Sequence, residues 1–435
     1  MQPRRRPASI IIHGVSSLRP TLTVVGRRLE PEHHRLRDFL TRVAQPFEWI
    51  EAGTPEASEA LLARELAEAE LPVVIDRDES VTGATVERLV EEWRLTDPPS
   101  KASYDLAVVG AGPAGLAAAV YAASDGVSTL VIEDDVPGGQ ASHTSLIENF
   151  FGFPGGIGGA ELARLAGRQA EGFGAELVFL RALTGSELRD GSFLLRLEGG
   201  YEIEARVVIA APGMVWRRLE VDGVEDLVER GVYYGAGRSE AAQCGGEDVA
   251  VVGAGNSAGQ AVMHLADAGA RVAMLVRGDS LGKSMSQYLV GRIEAHPLVE
   301  VRLGTVVDSV EAEGGMLSAV TVRGPGGSTE RLPIRTLFLC LGGKPRTRWA
   351  AAAGVATDEK GFVLTGPDLL EAGRRPAGWP LPRDPLALET SAPGLFVAGD
   401  ARHGSTKRVA GAVGEGAMAA ALVHRRLDEL SGLQP

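Results

Sequence analysis

The sequence predicts an α/β protein of two dinucleotide-binding units preceded by a smaller α/β unit, and three observations predict it. Residues 104–133 read as an apolar strand, a glycine-rich turn and an Ala-rich helix. The same arrangement recurs 143 positions later, from Gly110 to Gly253. Ahead of both, residues 20–93 alternate strand-like and helix-like stretches with no such turn.

In the first unit, Leu106 to Val109 reads as a strand and Gly110-Ala-Gly112-Pro113-Ala114-Gly115 as a GxGxxG turn. Leu116 to Ala123 follows as a helix of strong helix formers. The first glycine permits the turn, the second lets backbone approach a pyrophosphate, and the third lets the helix pack on the strand. The helix N-terminus adds unpaired N–H donors. A second strand, Thr129 to Ile132, ends on Glu133, an acid placed to accept the hydroxyl protons of an adenosine ribose. A lone GxGxxG is weak evidence; here its strand, helix and terminal acid accompany it.

The repeat starts with the apolar strand Val249 to Val252. Gly253-Ala-Gly255-Asn256-Ser257-Ala258 follows in the G-x-G-x-x-A form, then a helix to about Ala268 and a strand from Arg271 to Val276. Arg277, not an acid, comes next. A carboxylate there would repel a 2′-phosphate, whereas a guanidinium pairs with it bidentately, so this site favours NADP over NAD. Lys283 is a second candidate contact for that phosphate. Two such turns in one chain point to two Rossmann-like folds.

At 435 residues the chain has ample core for several domains. A net charge of −13 disfavours nucleic acid and anionic membrane as partners, which leaves small molecules or proteins. The opening basic and apolar residues are too short for a signal peptide or a membrane span, so residues 1–19 are expected to be a flexible tail. The only two cysteines, Cys244 and Cys340, imply no disulfide framework and a reducing cytoplasm, and no metal site is expected.

Residues 20–97 form a unit of their own. Leu22 to Val25 reads as a strand, Glu30 to Val43 as an amphipathic helix, and Phe47 to Glu51 as a strand. Ser58 to Glu70 reads as helical, Pro72 to Asp76 as extended, and Thr85 to Trp93 as helical. This order resembles a thioredoxin or glutaredoxin domain, with Leu71-Pro72-Val73 in the place of that family's cis-proline. Yet Gly26-Arg-Arg-Leu-Glu30, where the redox pair belongs, contains no cysteine. Thiol exchange is excluded, which leaves binding or a scaffolding role in a dimer. Residues 98–103, opened by Pro98 and Pro99, read as a linker.

Further motifs follow the first turn: Val136-Pro-Gly-Gly139-Gln140-Ala-Ser-His143 and Ile147-Glu-Asn149-Phe-Phe-Gly-Phe-Pro154. Ala210-Ala-Pro-Gly213, Glu389 to Asp400, and the run from Arg408 through Val409 and Ala410 to Gly416 complete the set. In these the chain resembles the low-molecular-weight thioredoxin reductase family. The resemblance implies an FAD-binding domain at 104–219 and 344–435, an NADPH-binding domain at 220–343, and a homodimer. It implies that Gly139, Gln140 and Asn149 line the flavin, and that Gly399 and Asp400 meet its ribityl or pyrophosphate. The helix from Arg408, Val409 and Ala410 would aim its N-terminus at the pyrimidine edge of the ring, where a positive dipole end stabilises anionic reduced flavin.

The departure is in the NADPH domain. The family carries a C-x-x-C pair there; here Gly235 and Arg238 stand at its two positions, and Ser239 where an acid follows. Cys244 has no partner nearby, and Cys340, in the apolar run Leu337 to Leu341, reads as a core residue. The expected function is an NADPH-dependent FAD oxidoreductase that passes hydride from nicotinamide to flavin and then to an external acceptor. A small organic molecule, quinone or dioxygen fits. An external disulfide or electron-transfer partner docked through the thioredoxin-like unit, and a non-catalytic flavin redox sensor, are the alternatives. No catalytic residue is assigned: His143 is either an acid or base beside the flavin or a structural histidine, and Arg238 either stacks near the ring or lies in solvent.

Overall fold

The computed structural model describes residues 21–28, 30–77, 79–93, 95, 97–189, 191–235 and 244–432. Its first elements are β1 (Leu22–Gly26), α1 (Pro31–Arg42), β2 (Phe47–Glu51), α2 (Pro55–Leu62), β3 (Val73–Asp76), β4 (Glu79–Val81) and α3 (Val86–Glu92). They form a sheet of order β2-β1-β3-β4, with β1 parallel to β2 and antiparallel to β3. Leu36, Phe39 and Leu40, at helical spacing on α1, bury against Leu22, Val24 and Val74 of the sheet.

The sequence expectation for α2 is corrected here. The helix runs over Pro55–Leu62, not Ser58 to Glu70, because Thr54 caps it by accepting from the Ala57 amide and Pro55 opens it. Glu65, at φ 62°, lies beyond its end. Strand β4 was not expected, since Glu79-Ser-Val carries no apolar alternation. The Leu71–Pro72 peptide bond is cis.

The first dinucleotide unit contains β5 (Ser103–Val109), α4 (Pro113–Ser124), β6 (Thr129–Ile132), α5 (Gly159–Gly172), β7 (Glu176–Val178), β8 (Leu183–Arg189), β9 (Ser192–Leu197) and β10 (Tyr201–Ala210). The sheet order is β7-β6-β5-β10-β9-β8. β11 (Met214–Trp216) then leads to a second, five-stranded parallel sheet of order β12-β19-β13-β14-β15. Its elements are β12 (Val232–Tyr234), β13 (Asp248–Val252), α6 (Asn256–Asp267), β14 (Arg271–Val276), α7 (Gln287–Ala295) and β15 (Val299–Leu303). An antiparallel sheet of β16 (Val306–Glu313), β17 (Met316–Arg323) and β18 (Thr329–Leu332) precedes β19 (Thr336–Leu339). Cys340 therefore follows the strand in which it was expected.

The chain returns through β20 (Gly343–Pro345), which pairs antiparallel with β11, so the two crossings between the units run side by side. After α8 (Arg348–Ala352), β21 (Leu395–Val397) joins the first sheet parallel to β10, and α9 (Val409–Leu430) ends the described fold. α4 is apolar on nearly every side because the sheet, α5 and α9 enclose it. Among the described residues no helix is long and apolar enough to cross a membrane.

Candidate functional site

The first glycine-rich turn is held by contacts that only glycine allows. Gly110 sits at φ 105°, and a Cβ there would lie 2.3 Å from the Ala211 carbonyl oxygen. At Gly115 a Cβ would lie 1.8 Å from the Gly110 carbonyl oxygen, so the helix packs on the strand backbone. Gly112 differs: a Cβ there meets nothing within 4 Å, which leaves open space in front of its backbone. Gly112 also precedes Pro113 and Ala114 of α4 as an N-cap with no side-chain bond, so the first amides of the helix keep free donors. An open backbone and unpaired donors at a positive dipole end fit a pyrophosphate.

Glu133 closes this turn. Its carboxylate accepts from the Ala111 amide at 2.6 Å and the Asp135 amide at 3.1 Å. Burial, with Asp134 alongside, raises its pKa. Arg346, contributed by the returning chain, donates to Asp134 and holds that carboxyl ionised, although burial alone would raise it.

The Gly139–His143 segment forms a 3₁₀ turn that backs onto this loop: a Cβ at Gly139 would lie 3.4 Å from the Gly112 Cα. Gln140 ties the turn to β11, donating to the Met214 carbonyl at 2.8 Å. Asn149 lies exposed, beside Glu148, with no hydrogen bond recorded among the described residues. On the other side, a Cβ at Gly399, at φ 79°, would lie 2.9 Å from the Ala114 Cβ. Burial raises the Asp400 carboxyl, and Lys407 donates to the Asp400 carbonyl at 2.6 Å. Arg408 is the N-cap of α9 without a side-chain bond, so the amides of Val409 and Ala410 face outward as α4's do.

Glu415 was not singled out in the sequence. Its carboxylate accepts from the Gly399 amide at 2.8 Å and pairs with Arg402, which fixes the Gly399-Asp400 corner. Its signal was present as the acid in the Arg408 to Gly416 run. Arg346 offered no signal at all.

The second turn repeats the pattern. A Cβ at Gly253, at φ 147°, would lie 2.5 Å from the Cys340 carbonyl oxygen, whereas Gly255 is open and α6 begins without a side-chain cap. Asn256 exchanges hydrogen bonds with Ser286, both to its amide at 2.7 Å and to its hydroxyl at 3.0 Å. Ser257 and Arg277 are exposed. Lys283 is held by Asp279 at 2.6 Å on the surface, four residues away on the same loop. The expected phosphate contact from Lys283 therefore starts from an existing ion pair.

Cys244 and Cys340 are both buried, and neither is in a disulfide. Burial pushes the Cys340 thiol up to about 12. His143 lies at the end of the 3₁₀ turn, its ring centroid 6.5 Å from that of Trp216 in a near-perpendicular arrangement, and its Nδ1 is 3.8 Å from Asp38 of α1. Arg238 and Ser239 lie outside the described residues.

Residues 104–416 match the family described as pyridine nucleotide-disulphide oxidoreductase. The thioredoxin reductase of Bacillus subtilis is 31% identical over 329 residues, spanning 75% of this chain and 96% of its own. That of Schizosaccharomyces pombe is 32% identical over 339 residues, spanning 74% and 97%. The crystal structure of Lactococcus lactis thioredoxin reductase in its FR conformation superposes with a TM-score of 0.66 at 27% identity, over 75% of this chain and 99% of that one.

Proposed function

The chain belongs to the pyridine nucleotide-disulphide oxidoreductase family, as a thioredoxin-reductase-like oxidoreductase that uses FAD and NADPH, and we propose that it delivers electrons to an external small-molecule acceptor rather than through an internal disulfide. An organic molecule, a quinone or dioxygen is the acceptor class. The observation that carries this reading is the state of the cysteines: two in the chain, both buried, in no disulfide and in no C-x-x-C. Burial raises the Cys340 thiol, which is therefore not a thiolate nucleophile near neutral pH, and the chain offers no C-x-x-C to cycle as a dithiol.

Bound FAD and NADPH supply the hydride chemistry, and the chain supplies binding, orientation and charge. In this reading Gly110, Gly112, Pro113, Ala114, Gly115 and Glu133 hold the adenosine diphosphate part of FAD. Gly139, Gln140 and Asn149 line the ring, Gly399 and Asp400 meet the ribityl or pyrophosphate, and Arg408, Val409 and Ala410 present the amides of α9. Gly253, Gly255, Asn256, Ser257, Arg277 and Lys283 hold NADPH. The domain bounds follow at 104–219 with 344–435 for FAD and 220–343 for NADPH. Residues 20–97 are a thioredoxin-like unit without redox cysteines, a reading supported by the order β2-β1-β3-β4. A cytoplasmic homodimer completes the proposal.

The second reading is reduction of an external protein disulfide, and the relatives named thioredoxin reductase favour it. Steady-state NADPH oxidation across quinones, dioxygen and disulfides decides between them. Turnover with disulfides alone overturns the small-molecule reading.

A further inference from the structure

The helix α1 of the N-terminal unit touches both dinucleotide units at once. Toward the second unit, Arg28, just ahead of α1, places its two terminal nitrogens 3.2 and 3.3 Å from the Glu247 carboxylate. Arg35 donates to Glu229 at 3.1 Å, and the His34 ring lies 4.9 Å from that of Tyr233. Toward the first unit, Arg42 donates to Asp135 at 2.5 Å and to the Ser142 hydroxyl at 3.4 Å, and Asp38 approaches His143. His34 and the Arg42 side chain are largely enclosed in this contact.

The positions of these contacts carry the argument. Tyr233 and Glu247 flank, in sequence, residues 235–244, the stretch in which the family's C-x-x-C pair is replaced. Ser142 and His143 end the 3₁₀ turn that backs onto the first glycine-rich loop. The same second unit is also tied to the first directly, through Arg292 on α7 and Glu148 at 2.7 Å. The N-terminal unit therefore adds its contacts to this direct ion pair.

We propose that the N-terminal unit is a built-in partner, occupying the face of the second dinucleotide unit that carries Glu229, Tyr233 and Glu247 and fixing both units in one working arrangement that admits small acceptors and not a docked protein. The inference rests on the small-acceptor reading above. A chain with no dithiol to present has no use for a second orientation of that unit, and α1 holds residues of both units that such a reorientation would move relative to each other. Each exposed ion pair is weak by itself, so the grip depends on the set and is screened by salt.

The test bridges the joint covalently. In Arg35→Cys/Glu229→Cys, a short bis-maleimide joins the two new thiols while the buried Cys244 and Cys340 stay unreacted; each single variant with the same reagent is the control. The bridge is expected to form equally with and without NADPH. The bridged protein should keep anaerobic flavin bleaching by NADPH, and quinone turnover, within about twofold of the unbridged double variant. A tenfold or greater loss of both on bridging overturns the proposal. In Arg28→Glu/Arg35→Glu, small-angle scattering should show a larger radius of gyration, reversed by adding Glu229→Arg/Glu247→Arg; an unchanged radius also overturns it. Failure of the acceptor reading is separable: wild type then turns over no quinone, while the bleaching rate and the radius still judge the grip.

Discussion

Glu133 accepts a hydrogen bond from the Ala111 amide at 2.6 Å, so the acid that ends the second strand is latched onto the middle of the first glycine-rich turn. Burial and the neighbouring Asp134 raise its pKa to about 7, against an ordinary carboxyl near 4.5. The folded protein without FAD thus holds more protons than the unfolded chain between these values. Its stability falls as pH rises through that window. Ribose hydroxyls need an ionised acceptor, so FAD binding releases the proton and tightens as pH rises toward 7. Fluorescence titration of the apoprotein should show tighter FAD binding at pH 8 than at pH 6, by up to about tenfold. In Glu133→Gln this pH dependence should vanish; its persistence would assign it to another group.

Gly112 and Gly115 separate ligand binding from folding. Space in front of Gly112 is open, and its φ of −69° suits any residue, so Gly112→Val should fold with an unchanged apoprotein melting temperature and bind no FAD. Gly115→Ala places a methyl 1.8 Å from the Gly110 carbonyl oxygen and should destabilise the apoprotein by about 1–3 kcal/mol or more in urea. Cofactor released from wild type should chromatograph as FAD, not FMN.

Arg277 is exposed, and no ion pair is recorded for it among the described residues, whereas Lys283 is paired with Asp279. Arg277→Ala should raise the KM for NADPH by the worth of one charge-assisted contact, roughly 1.5–3 kcal/mol, and leave NADH nearly unchanged. Lys283→Ala should cost less. A wild type that prefers NADH would remove the basis for both.

Replacing Cys244 and Cys340 together by Ala should leave flavin reduction and acceptor turnover within about threefold of wild type. Alanine leaves no hydroxyl to satisfy at a buried position, where an unpaired one costs about 1–3 kcal/mol. A hundredfold loss in a folded, FAD-loaded variant would show that a thiol carries electrons.

The two turns, their strands and helices, and the place of Glu133 at a strand end were legible in the chain because each depends on local chemistry: positive φ, apolar runs, and the residue type at a strand end. α2 was misjudged because its start is set by Thr54 and Pro55 and not by its apolar pattern. β4 was missed because pairing with β3, not alternation, makes it a strand.

The sequence alone therefore determined where the two glycine-rich turns stand and that no C-x-x-C remains. Only the tertiary structure decided that Arg346 reaches Asp134 across 212 positions, that Glu415 holds the Gly399 amide, and that Cys340 lies behind Gly253. It alone placed α1 across the joint between the two dinucleotide units. The reason is physical: a glycine's φ and a strand's apolar face are properties of a few adjacent residues. A partner at long range is selected by the packing of whole sheets and helices, and no short stretch of chain encodes it.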